Sequence, residues 1–346
     1  MKRIYCLIMA AIIIIAIGGC NGSTPSPSKI PESSEVPVSS EAPASSEATS
    51  VDFPTATIKI IVPFNPGGST DLMARVLAPE MSARLGVPVI VENKPGGGGA
   101  IGMIEMIQSN PDGHTIILCS ISAATLTPNN SDVGYTNKEM APIAQIAQLS
   151  TGIYVRADSG ITTVEEFIEV CEAEYGTKTF STSGTGGVHH LTAELFMKAI
   201  DKPGLINHVP FDSGTEAITA VLGNQVDFSF GDAGDGLPFV EDGTLRVLAM
   251  GSDPGRDYYF PDVPSFKELG YDVVMGPWTG FAAPAGTPIE IIELLDNTIK
   301  ECMELPNIIE GFKNLSQPIA YMDHTDFTEK WMAEYDKNKA IIEGIG

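Results

Sequence analysis

Positive charge is scarce in this 346-residue chain: 20 Lys and Arg stand against 44 Asp and Glu, a formal net charge of −24. A nucleic-acid partner would need a basic surface to release counterions from phosphates, so no nucleic acid is expected. The acidity bears on solubility and long-range repulsion, and it means that an anionic ligand would have to be held by local dipoles against an unfavourable overall field. Cysteine is also sparse, with five residues, none at metal-ligand spacing. Neither a metal nor a cofactor is expected. Cys119, Cys171 and Cys302 read as buried apolar thiols, with one disulfide left open. A membrane-spanning run is missing too. A helix needs roughly 20 apolar residues to cross a bilayer, and the stretch from Ile4 to Ile17 is shorter and ends in Gly18 and Gly19.

What that stretch does fit is export. Lys2 and Arg3, an apolar run and small residues before Cys20 follow the order of a signal peptide over residues 1–19, removed on maturation. Ile17-Gly18-Gly19-Cys20 resembles the lipobox of bacterial lipoproteins. Cys20 is therefore expected to carry a lipid that anchors the protein to the outer face of the cytoplasmic membrane without crossing it. An ordinary signal peptide that happens to contain a cysteine is the plainer alternative. Residues 21–50 hold ten Ser and five Pro with no aromatic residue. Such a segment cannot bury enough apolar surface to offset its ordering entropy, so residues 20–52 read as a disordered tether.

From residue 53 onward the chain alternates strand, glycine-rich turn and helix, which predicts an α/β architecture with largely parallel strands. The patterns predict strands at 57–63, 87–91 and 114–119 and helices at 70–85 and 102–108. Further on, strands are predicted at 152–156, 178–181, 208–211 and 226–230. Helices are predicted at 163–173, 192–200, 215–223, 288–303 and 325–342. This length is enough for two lobes: 53–150 with 275–346, and 151–274.

Two loops stand out. Phe64-Asn65-Pro66-Gly67-Gly68-Ser69-Thr70-Asp71 lies between a strand and a helix, where backbone amides can face an anion. It is followed by no Gly-Lys-Ser/Thr and contains no Gly-x-Gly-x-x-Gly, so neither nucleotide motif applies. Asp71 and Arg75, four apart, read as a local ion pair. The segment from Ser181 to His190 repeats the design in the other half. Two amide-rich loops facing each other across a cleft would grip a carboxylate without a cationic side chain. A metal on His189 and His190 is disfavoured, because adjacent helical side chains point about 100° apart. Neither Ser69 nor Ser183 sits in a Gly-x-Ser-x-Gly elbow, which argues against hydrolysis. Asn93 to Gly99 is a third glycine-rich stretch, with function and simple connection equally open.

At these residues the chain resembles the substrate-binding proteins of tripartite tricarboxylate transporters, the TctC or Bug family. The resemblance is carried by IKIIVPFNPGGSTDLMARVLAPEMSARLG, VIVENKPGGGGAIG, NPDGHTIIL, STSGTGGVHHLTAELF, HVPFDSGTEAITAVLGNQVDFSF and PDVPSFKELGYDV with WTGFAAPAGTP, in the family's order. It implies a type II periplasmic-binding-protein fold, two α/β lobes joined by a hinge with the ligand cleft between them. It further implies a receptor, not an enzyme, that captures a small carboxylate or amino-acid-like solute and delivers it, as a monomer, to membrane permease subunits. The implied ligand-binding residues are Phe64, Gly67, Gly68, Ser69, Thr70 and Ser120 on one side. On the other they are Ser183, Gly184, Thr185, Gly186, His190, Phe211 and Asp232. Phe211 replaces the family's usual tyrosine and removes a hydroxyl. The Gly231–Gly236 segment reads as an acidic turn, either solvated or placed to bind an ammonium group. A receptor that presents its ligand to a sensor, or an exported enzyme on the same scaffold, remains open.

Overall fold

The computed structural model describes residues 52–345 apart from 253 and 254. The export segment, Cys20 and the tether up to residue 51 lie outside the described residues. The chain runs β1 (Ile58–Val62), α1 (Ser69–Leu85), β2 (Val89–Asn93), α2 (Ala100–Ile107), β3 (Thr115–Ser120), α3 (Thr127–Asn130) and β4 (Met140–Gln148). It then crosses into a second sheet with β5 (Thr151–Arg156), α4 (Val164–Ala173), β6 (Thr179–Ser183), α5 (Val188–Ala199) and β7 (Asn207–Phe211). That sheet continues through α6 (Gly214–Leu222), β8 (Phe228–Asp232), α7 (Ala233–Glu241) and β9 (Leu245–Met250). The chain returns through β10 (Trp278–Pro284), α8 (Ile289–Met303), α9 (Pro306–Asn314), β11 (Ile319–Met322) and α10 (His324–Ile345).

The first sheet has strand order β11-β4-β10-β3-β1-β2 and the second β7-β6-β8-β5-β9. β1 pairs in parallel with β2 and β3, and β6 with β7 and β8. β10 and β5, each inserted inside its sheet, run antiparallel to both neighbours. The sheets are therefore mixed where largely parallel ones were expected. β5 and β10 adjoin the crossings between sheets, and β11 also runs antiparallel, to β4; local patterning carries no sign of their direction.

Strands buried on both faces read as continuous apolar runs, and β1 shows why. Ile58, Ile60 and Val62 enter one cluster with Met73, Leu77 and Leu295, whereas Ile61 enters another with Met103, Trp278 and Trp331. In the second sheet the alternation is aromatic against hydroxyl. Phe180, Phe228 and Phe230 fill one cluster. Ser181, on the opposite face, donates to Ala217 O at 2.7 Å, and Ser229 donates to Ser181 O at 3.2 Å, so these buried hydroxyls are satisfied.

The two crossings between sheets run side by side, with Leu149 N donating to Pro277 O (2.9 Å) and Gly251 N to Thr151 O (2.8 Å). Their closeness requires Gly276, where a Cβ would lie 2.0 Å from Leu149 O. Helix α10 joins both halves: Phe327 and Trp331 pack under β10, while Ile341 enters the core of the second sheet. Cys119, Cys171 and Cys302 are free, buried and divided among three separate clusters, so no disulfide links them. Burial pushes the Cys302 thiol up to about 11. Among the described residues no helix is long and apolar enough to cross a membrane.

Candidate functional site

A cavity of 570 Å³ lies between the two sheets. Its wall includes the starts of three helices: Gly68, Ser69 and Thr70 at α1, Val188 and His189 at α5, and Asp232, Gly234 and Asp235 at α7. The first backbone N–H groups of a helix have no acceptor within the helix, and its dipole makes that end positive. The N-caps of the three helices, Gly68, Gly187 and Asp232, supply no side-chain cap. By contrast, α4 and α6 of the same second sheet are capped by Thr163 and Ser213, and neither cap residue lines the cavity. No Lys or Arg lines it either. Its polar lining consists of the hydroxyl residues Ser69, Thr70, Ser120, Ser122, Ser183, Thr279 and Ser316 with Gln317, His189, Asp232 and Asp235.

The α1 loop is held from behind. Asp71, 2 % exposed, accepts from Gly67 N (2.8 Å), Arg75 Nε (3.0 Å) and Asn93 Nδ2 (2.9 Å). Burial alone would raise the Asp71 carboxyl; the bonds from Arg75, Gly67 and Asn93 outweigh it and hold it below the usual range. Asn93 also donates to Phe64 O at 3.1 Å, tying the end of β2 to the same loop. Asp71 and Arg75 are the expected ion pair, and Asn93 gives the third glycine-rich stretch a part in the scaffold.

Of the residues expected to hold ligand, Phe64, Gly68, Ser69, Thr70, Ser120, Ser183 and Asp232 line this cavity. Gly67 does not, and its amide is taken by Asp71. In the second loop, Gly184 N donates to Phe211 O (2.9 Å) and Gly186 N to His190 Nδ1 (3.0 Å), so these amides are already used. Thr185 and Gly186 border a separate depression beside Asn130, whose Nδ2 reaches Gly186 O at 3.2 Å. His190 stacks on His208 with centroids 3.9 Å apart and serves packing. Phe211 sits partly buried against the Ile218 and Val221 cluster. On this side the cavity wall is thus formed by Ser183 and the start of α5, while Gly184, Thr185 and Gly186 lie outside it.

His189 points away from His190, as expected of adjacent helical residues, but it was not among the residues expected to hold ligand. Its ring, 5 % exposed, joins Ser183 Oγ to Nδ1 (2.8 Å) and Asp232 Oδ1 to Nε2 (2.7 Å). Burial opposes charging the ring, yet the Asp232 and Asp235 carboxylates prevail and raise its pKa above the ordinary histidine value. Asp235 is itself raised, by burial and then by the Asp232 charge. The expected acidic turn is in fact the start of helix α7; two glycines and Pro238 hide it from pattern reading. Ser122, Thr279, Ser316 and Gln317 also line the cavity and were missed. Thr279 faces Ser120 across the β10–β3 pair, a neighbour that only strand order reveals. Among the described residues no group of three or more His, Cys, Asp and Glu is placed to hold a metal ion.

Two α/β sheets joined at paired crossings, with a polar cavity between them at the starts of helices, define a two-lobed solute-binding protein. The chain belongs to the tripartite tricarboxylate transporter family receptors, TctC, whose model matches residues 73–346. It is 35% identical over 295 residues to the UPF0065 protein in the gbd 5' region of Cupriavidus necator, covering 85% of this chain and 89% of that protein. A TctC solute-binding protein from Polaromonas, solved without ligand, superposes with a TM-score of 0.79 at 29% identity, over 84% of this chain and 99% of the other. MatC from Rhodopseudomonas palustris, solved with bound malate, shares the fold with a TM-score of 0.64 at 24% identity, over 84% and 100% of the two chains.

Proposed function

We propose that this protein is the extracytoplasmic receptor of a tripartite tricarboxylate-type transporter, closing on a small carboxylate-containing solute and delivering it to membrane permease subunits. One observation carries the reading: the uncapped starts of α1 and α5 meet at a single cavity that no Lys or Arg lines. Backbone N–H groups at a helix start suit a carboxylate. The cavity falls within the few hundred to about 1,000 Å³ usual for small-molecule sites, which leaves room for a di- or tricarboxylate with water. The malate bound to MatC is the same chemistry in a relative of the same fold.

The lobes in this proposal are 53–150 with 275–346, and 151–274, and the paired crossings beside Gly276 are the hinge. A ligand touching both lobes would favour the closed state by its differential affinity. Lipidation at Cys20 would keep the monomer near its permease. The Ser183–His189–Asp232 chain is assigned to binding and not to hydrolysis. One feature favours an amine-bearing acid as a second reading. Asp235 lines the cavity with only a 3.3 Å bond from Thr215 Oγ1, which leaves a carboxylate for an ammonium group.

Thermal melting against dicarboxylates, tricarboxylates, aromatic acids and amino acids tests these readings. A carboxylate should raise the melting temperature and compact the protein in solution scattering, and should be recovered chemically unchanged. Stabilisation by no acid would refute the receptor reading. Stabilisation only by acids lacking an amine would refute the second one.

A further inference from the structure

The cavity contains one ionisable ring in contact with one hydroxyl, and the hydrogen-bond rules for that pair are strict. An ionised Asp232 has only lone pairs to offer, so the Nε2 facing it at 2.7 Å carries a proton. In the neutral ring, Nδ1 is then a lone pair and accepts from Ser183 Oγ at 2.8 Å. The Ser183 proton is committed inward, and toward the cavity its oxygen shows lone pairs alone, which repel a carboxylate. Adding a proton at Nδ1 reverses this bond. Nδ1–H now donates to Ser183 Oγ, and the hydroxyl proton is free to turn into the cavity toward an anion.

We propose that His189 is a proton-operated switch on Ser183, so that capture of a carboxylate is accompanied by uptake of one proton. The inference rests on the receptor reading above and adds to it a specificity-determining residue that selects for anions and for pH. The charged neighbours favour the switch. Asp232 contacts the ring, Asp235 at the start of α7 adds to its field, and Asp257 lies near Asp232 from the segment after β9. From the first lobe the wall offers only uncharged groups such as Ser69, Thr70 and Ser120, and α10 contributes no charged side chain to it. His190, on the same helix, is paired with Glu194 at 3.6 Å and stacked on His208, away from this wall. Burial opposes the ring's charge and the two carboxylates overcome it, so the donor state is retained above the ordinary histidine range. Affinity should therefore hold through acidic pH and fall as pH rises past that raised value.

The test is calorimetric titration of malate, citrate and glutarate into the mature protein between pH 5.5 and 9, in two buffers of different ionisation enthalpy. For any acid that binds, the dissociation constant should rise about tenfold per pH unit above the His189 pKa. It should level off after a total of about tenfold to a hundredfold, the worth of one charge-assisted hydrogen bond. His189→Asn should flatten the profile and abolish proton uptake, and Ser183→Ala should weaken binding while reducing its pH dependence. Binding without proton uptake at the alkaline end of this range, where the free ring is neutral, or an equal slope in His189→Asn, overturns the switch and leaves the receptor standing. A parallel measurement needs no ligand. In protein labelled with nitrogen-15 histidine, Nδ1 of His189 should protonate with a pKa above 6.5, and Asp232→Asn should lower it. An Nδ1 that stays unprotonated from pH 5 to 9 overturns the switch. If no acid binds at any pH, the receptor reading and the switch fall together.

Discussion

Replacing Asp71 with alanine tests whether the first ligand-facing loop is held by its buried support. Three donors converge on this carboxylate: Gly67 N, the Arg75 guanidinium and Asn93 Nδ2, all at 2.8–3.0 Å. Arg75 is half exposed and recovers water when freed, so its share is small. The charge-assisted bond to Gly67 contributes about 1.5 kcal/mol. Asn93 keeps Phe64 O as a partner, and losing its second acceptor costs about 1 kcal/mol. Asp71→Ala should therefore destabilise by about 3 kcal/mol at pH 7 and weaken any carboxylate about tenfold by loosening Gly68 to Thr70. Because the folded carboxyl titrates below its ordinary value of 3.8, this stability is present above that value. It is lost as pH falls through the lowered one. Urea unfolding followed by fluorescence of Trp278 and Trp331 measures it, and the mutant and wild type should converge once pH has fallen below the lowered value. A difference under about 1 kcal/mol at pH 7 would refute the staple argument.

Three further outcomes are expected. His208 is depressed to about 4, by burial and then by the charge of His190, so the unfolded chain binds a proton that the folded one refuses. Stability should then decline by about 1–2 kcal/mol between pH 6.5 and 4, allowing for the ring's partial exposure. Asp235 and Asp257, both raised by burial, oppose this decline, so the measure is the difference between wild type and His208→Gln in unfolding midpoint against pH. Lys330 Nζ donates to Gln145 Oε1 (2.7 Å) and Gln148 Oε1 (2.6 Å) beneath β4. Lys330→Met should cost about 2 kcal/mol by leaving two amides and Glu334 without it, and unchanged urea stability would count against that accounting. Finally, the chain's charge of −24 repels an anion at a distance. Stopped-flow association of a bound carboxylate should quicken from 10 to 150 mM salt; slowing would point to a positive approach path.

The positions of the binding loops were readable because they sit at strand-to-helix junctions, where a glycine pair interrupts two clear periodicities. β1 and α1 follow the expected bounds within a residue or two, and Phe64, Gly68, Ser69 and Thr70 reach the cavity together. What was hidden depends on partners distant in sequence. Glycine-rich loops look alike whether their amides are free or spent. Only the folded pairing shows that Gly184 is spent on Phe211 and Gly186 on His190. His189 and His190 are likewise indistinguishable in composition, and the turn of α5 sends one to Asp232 and the other to His208. Thr279 entered the wall because β10 inserts beside β3, which no local pattern encodes. The family resemblance pointed to these loops, and the hydrogen bonds show which of their amides already have acceptors.

An acidic protein that takes up an anion, as proposed above, needs a source of positive potential other than its net charge. An Arg or Lys in the cavity would supply a full charge, but a charge desolvated in a closing cleft needs a partner when the ligand leaves. Helix starts carry a fixed partial charge whose source is the fold, and they need no counterion in the empty state. Their weakness is that they select poorly between an anion and water. In the proposed switch Asp232 has a second effect: it holds the protonated His189 ring next to Ser183 while cancelling most of its far field. The pair adds no net charge when His189 is protonated and one negative charge when it is not. With Asp235 also on the wall, a cleft built this way carries one negative charge fewer in the protonated state than in the other, so pH would act on the same ligand through both the hydroxyl and the field.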